Sequence, residues 1–229
     1  MRTIHLCLFL LFSVICTAQE SRKVSCRFLG LDENNPTSTI LNVWDKDKEV
    51  SCEVYTESPS PAVECMARDN TINFISAADR KPAGTVKIPA NGKAFVLLFV
   101  AAGKPTDSPP WRIFAIEDTP KNFPDGGAFV ANFHTQDIRF IIGEDKLMLH
   151  SGGSHGFAPP AKLDAFNMAP VRFEFKQGEV WSVAKESMYR FIPGMRYLMF
   201  AYVDPASGRP RICSFRDMAT SSRPSAPPP

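Results

Sequence analysis

The chain lacks the spacings that mark most metal and catalytic sites. No C-x-x-C pair occurs, and neither H-x-H nor H-E-x-x-H is present among its four histidines. Charge of one sign is missing too. The net charge is +2, and no basic stripe runs along any segment, so a nucleic-acid or anionic-membrane role has no electrostatic support. Helical periodicity is scarce, and beyond residue 18 no apolar run approaches the length needed to cross a bilayer. What the 229 residues do have is an ordinary globular balance, 44% hydrophobic and 22% charged, with 18 phenylalanines to fill a core.

The first eighteen residues stand apart. Arg2 precedes the apolar stretch Ile4–Ile15, and Cys16 and Ala18 place small residues ahead of a cut before Gln19. This reads as a secretory signal peptide over 1–18, and it predicts an exported protein, periplasmic or secreted. The alternative, a lipoprotein acylated at Cys16, is disfavoured by the bulky Ile15 before the cysteine. Removing 1–18 leaves Cys26, Cys52, Cys65 and Cys213. An even number in an oxidising compartment predicts two disulfides, with three connectivities open. Cys52–Cys65, closing a Pro-rich turn, and Cys26–Cys213 are the favoured pairs.

Short β-rich runs closed by Gly, Pro, Asn or Asp recur along the rest. About a dozen strands are predicted, among them 24–31, 49–55, 71–77, 94–102, 111–118, 127–134, 137–143, 145–150, 170–176, 179–191, 195–203 and 209–215. The run "AFVLLFVAA" (94–102) is apolar without alternation, which predicts a central strand covered on both faces. In "VRFEFK", Val171, Phe173 and Phe175 alternate with Arg172, Glu174 and Lys176, as a half-buried antiparallel strand requires. The expected fold is an all-β antiparallel sandwich, Ig-like or jelly-roll-like with Greek-key connections, over 19–218, with a possible subdivision near 88–92. Residues 219–229, "ATSSRPSAPPP", have nothing apolar to bury and are expected to form a disordered tail.

The segments "VKIPANGKAFVLLFV", "FPDGGAFVANF" (123–133) and "GEVWSVAKESMYRFIPGMRYLMFAYVDP" resemble a group of exported all-β bacterial proteins of uncharacterised function. The resemblance implies an exported β-domain of bacterial source. It implies no activity, cofactor or site residue.

Three constellations invite chemistry. Gly152-Gly153-Ser154-His155-Gly156 fits the nucleophile-elbow pattern G-x-S-x-G. However, no histidine follows His155, Pro159-Pro160 disfavours the required helix, and β-α alternation is missing, so the expectation is a glycine loop between strands. His134, His150 and His155, with Asp137 or Asp145, form the one conceivable metal cluster, imidazoles suiting zinc or copper. Trp44, Trp111, Trp181, Tyr189, Tyr197 and Tyr202 offer a platform for sugars if two of them lie exposed and coplanar. The neighbours Glu117-Asp118 and Glu144-Asp145 would point to opposite strand faces and make poor acid/base pairs.

The function expected from these residues is non-enzymatic, with no cofactor: a binding or structural module of the bacterial cell envelope, taking a protein or glycan partner. Strands 170–176 and 195–203 are its candidate edges for strand addition. The alternatives are a metal-dependent or hydrolytic enzyme using His134, His150 and His155, and a carbohydrate-binding module.

Overall fold

The computed structural model describes residues 20–31, 38–45, 48–102, 109–204 and 207–218. The expected signal peptide, Cys16 and the 219–229 tail lie outside these residues. Among the described residues there are sixteen strands and no helix. The first eight are β1 (Ser21–Gly30), β2 (Ser38–Asp45), β3 (Lys48–Val54), β4 (Val63–Arg68), β5 (Thr71–Ser76), β6 (Pro82–Lys87), β7 (Ala94–Ala101) and β8 (Trp111–Glu117). The second eight are β9 (Ala128–Asn132), β10 (Ile138–Ile142), β11 (Asp145–Leu149), β12 (Ser154–Phe157), β13 (Met168–Gln177), β14 (Val180–Arg190), β15 (Met195–Val203) and β16 (Pro210–Met218).

The two sets share one connectivity. In the first, β3-β2-β5-β6 and β4-β1-β7-β8 are joined into a single sheet only at Arg68, which pairs with Thr71. In the second, β11-β10-β13-β14 and β12-β9-β15-β16 are separate sheets. Adding eight to every strand number converts the first pattern into the second. The parallel pair β1–β7 becomes the parallel pair β9–β15. A bulge recurs at the same place: Ala83 is the extra residue where Phe74 pairs with Gly84 and Ile75 with Pro82. Ala184 is the extra residue where Phe173 pairs with Lys185 and Glu174 with Val183.

Three apolar clusters turn this connectivity into four stacked layers. One fills the first unit with Phe28, Phe74, Phe95 and Phe99 among others. Another fills the second with Phe140, Phe173, Val171 and Met199. The third lies between the units, where Leu29, Val96, Leu98 and Ile116 meet Phe129, Leu198, Phe200 and Phe215. Strand β7 serves two clusters at once, with Phe95, Leu97 and Phe99 turned into the first and Val96 and Leu98 into the third. Its unbroken apolar run follows from that double burial.

The all-β sandwich expectation holds, with corrections. Among the described residues there are sixteen strands rather than about a dozen, and the strand pairs β1–β7 and β9–β15 are parallel. Residues 88–93 link β6 to β7, and residues 118–127 link β8 to β9. Strands β2, β4, β6 and β12 are unmarked in the expected set. Two of these carry residues that ordinarily argue against a strand. Pro82 opens β6 as an edge residue, and Gly84 is required because a Cβ there would sit 2.6 Å from Ile113 Cδ1. In β12 the expected glycine loop is half strand: Gly152 turns the chain at φ +77°, and Ser154–Phe157 then pairs with β9.

Candidate functional site

The candidates read from the sequence are scattered. His134 is buried beyond the end of β9, its ring 5.1 Å from Phe175, and its Nδ1 accepts the Gln136 backbone N–H at 2.9 Å. Burial holds its pKa below the ordinary 6.5, a shift that the Gln136 contact opposes. His150 is exposed and contacts Asp137 Oδ1 at 2.9 Å. His155 is exposed on β12, its ring 5.1 Å from Phe157. Among the described residues no group of three His, Cys, Asp or Glu side chains could hold a metal ion. Ser154 opens β12 opposite Ala131, as a strand residue and not at an elbow.

Neither expected pair, Cys52–Cys65 nor Cys26–Cys213, is shown as a disulfide: Cys26, Cys52 and Cys65 are buried thiols. Cys26, Cys52 and Cys65 lie together in the first core, and Cys213 lies in the layer between the units. The hydrogen bond to Cys65 and then burial push the Cys52 thiol far above its ordinary range. Matching the two units along their shared register places Ala128 where Cys26 stands and Leu149 where Cys52 stands.

None of the six aromatics is exposed, so no coplanar sugar platform forms. Trp111 packs edge-on against Phe99, and Tyr189 against Tyr197. Trp44 lies beneath Lys23 and Lys48, its Nε1 buried without a hydrogen-bond partner. The two candidate edges are also corrected. Residues 170–176 lie in β13, between β10 and β14, and 195–203 form β15, between β9 and β16. Neither is free to accept a strand.

The structure assembles two charged groupings that no local spacing signals. Between the units, Asp217 is 1% exposed and takes a bidentate contact from Arg27, at 2.8 and 2.5 Å. It also accepts from Arg196 Nε at 2.7 Å, while Arg196 Nη1 lies 3.0 Å from Asp118 Oδ1. Each unit supplies one arginine and one aspartate. Burial raises the Asp217 pKa, but Arg27 and Arg196 outweigh it and hold the carboxyl below its ordinary 3.8. This neutral quartet pairs Arg27 with Asp217 and Arg196 with both Asp118 and Asp217 across the contact between the units.

The other grouping covers the solvent face of the β11-β10-β13-β14 sheet. Register places Met148, Arg139, Glu174 and Val183 in one row across the four strands, and Lys146, Ile141, Arg172 and Glu186 in the next. Glu174 is nearly buried between Arg139 at 3.5 Å and Arg172 at 3.3 Å. The Arg139 guanidinium stacks over Trp181, 3.8 Å from the ring centroid. At one end a cleft of about 310 Å³ is lined by Gln136, Asp137, Lys176 and Gly178. Met148, Val183 and Met188 remain 47%, 53% and 47% exposed on this face. The matching face of the first unit has Ser51, Leu41, Ile75 and Pro82 in the first of these rows, with no charge among them.

No family model matches the chain, and no curated protein is significantly similar to it.

Proposed function

We propose that this is an exported, non-enzymatic binding module of the bacterial cell envelope, and that its partner docks on the solvent face of the β11-β10-β13-β14 sheet. The observation that supports this reading is the contrast between equivalent faces. All six large hydrophobic residues that stand exposed among the described residues belong to the second unit: Met148, Phe166, Val180, Val183, Met188 and Met218. Three of them share a face with a pre-ordered Arg139–Glu174–Arg172 lattice. Apolar contact area around fixed, partly desolvated charge is the composition of a recognition surface, since the arginines are held in place before a partner arrives.

The test is co-purification from envelope extracts with the exported protein as bait. Arg139→Ala and Met148→Asp are expected to deplete the captured partner by about ten-fold or more, as loss of an interface anchor does. Ser51→Asp on the equivalent face of the first unit is expected to change nothing. Equal capture by all of these proteins would refute the reading.

A further inference from the structure

We propose that two copies of this chain join along β14, forming a continuous eight-stranded sheet about a two-fold axis perpendicular to it. The inference is independent of which partner the sheet face takes.

Strand β14 ends its sheet, and its counterpart in the first unit shows what a covered edge looks like. There, β6 has six residues, and Gly84 lies close to Ile113 and to the Trp111 carbonyl of β8. In the second unit Lys185 stands at the position of Gly84, and β14 pairs with β13 alone. Strand β14 has eleven residues, exposed or half-exposed from end to end. Tyr189, near its far end, reaches β16 through a hydrogen bond to Ser214 at 3.0 Å. Val180, Val183 and Met188, three of the six exposed large hydrophobics among the described residues, lie on this one strand.

The bulge makes the strand complementary to itself. Trp181, Val183, Glu186 and Met188 pair with Lys176, Glu174, Arg172 and Pro170, so all four share the solvent face of the sheet. Val180 and Tyr189, each next to one of these in the strand, lie on the opposite, core side. In a regular strand, residues separated by an odd number of positions point to opposite faces. The extra residue Ala184 cancels that alternation. A two-fold axis between Ala184 and Lys185 therefore sets Trp181 opposite Met188 of the second copy and Val183 opposite its Glu186. It also sets Val180 opposite Tyr189, every pair matching faces. Registers centred on a single residue set core-facing side chains against solvent-facing ones across the bulge. The edge thus has a face-matched register with a second copy of itself. Lys185 approaches its symmetry mate near the axis, where both ammonium groups stay solvated on flexible stems.

The test uses the full exported chain in solution. Sedimentation equilibrium over about a hundred-fold range of concentration is expected to show reversible dimers. Val183→Lys and Met188→Lys are expected to weaken the dimer by about ten-fold or more each. In the double variant Trp181→Cys/Met188→Cys, the new thiols lie beside Lys176 and Pro170 of β13 and are too far apart along one strand to bridge within a chain. They are expected to yield a covalent dimer on mild oxidation. A monomer throughout the concentration range overturns the proposal. So does a dimer that is unmoved by both lysine variants and not trapped by the cysteine pair, because that dimer uses another surface.

Discussion

At Gly84 in the first unit and Lys185 in the second, the same bulged strand pair follows two courses. At the glycine β6 packs closely against β8, while at the lysine β14 runs long, with its outer edge open. Inside, the contrast runs the other way. The first core holds three thiols and the buried Asn42, whose amide spans β2, β4 and β5 through Met66 and Asn73. Register places Phe140 where Asn42 stands, so the second core is more purely apolar at these positions. One connectivity thus supports a core with buried polar groups in one copy, and in the other a more apolar core with all the exposed large hydrophobics among the described residues. Strand order and bulge position set the backbone, and side-chain identity assigns the roles.

The largest expected effect comes from breaking the contact between the units. Phe200 packs against Phe129, Phe133 and Phe215, and Phe200→Ala is expected to cost about 3–5 kcal/mol in urea unfolding, as large core truncations do. Asp217→Ala leaves Arg27 and Arg196 without their shared partner and is expected to cost about 3 kcal/mol or more, because an uncompensated buried charge remains. Asp118→Ala is expected to cost less, since Asp118 is more exposed and Arg196 keeps Asp217.

Exchanging the two seam residues sharpens the contrast. Gly84→Lys drives a side chain into Ile113 and is expected to destabilise by about 1–3 kcal/mol, the usual cost of overpacking. The reverse change, Lys185→Gly, stays within about 1 kcal/mol, the cost of glycine in a strand. Equal effects of the two would mean that both seams are alike.

Acid provides a smaller probe. His134 has a folded pKa below 6.5, so its contribution is complete above pH 6.5 and is withdrawn as the pH falls from there toward the folded value. Asp217 has a folded pKa below 3.8, so its contribution persists above pH 3.8 and is lost as the pH falls through that lowered value. A stability profile of the wild type is expected to show both declines, and His134→Asn should remove only the first.

The sequence was a good guide where one residue pattern determined one strand. Val171, Phe173 and Phe175 do face the second core, and the apolar run of 94–102 is a doubly covered strand. The turns at Gly178 and Gly208 fall at φ +62° and +67°, between β13 and β14 and between β15 and β16. Glu174 shows the limit of alternation: it lies on the solvent side as expected, yet Arg139 and Arg172 cover it until it is nearly buried. The duplication itself was invisible. Topology repeats register and bulges, whereas Cys26 against Ala128 and Gly84 against Lys185 share no side-chain chemistry. Arg27 and Asp217 lie 190 residues apart, so only the fold brings their charges together. His134, His150 and His155, close together in the chain, stand on three different elements.

Site-specific photo-crosslinking in the intact envelope tests the contrast between the faces most directly, with the probe placed at Met148 in one protein and at Ser51 in another. The functional division drawn here requires discrete partner adducts from Met148 and none from Ser51. Adducts from Ser51 alone, or from neither position, would contradict it.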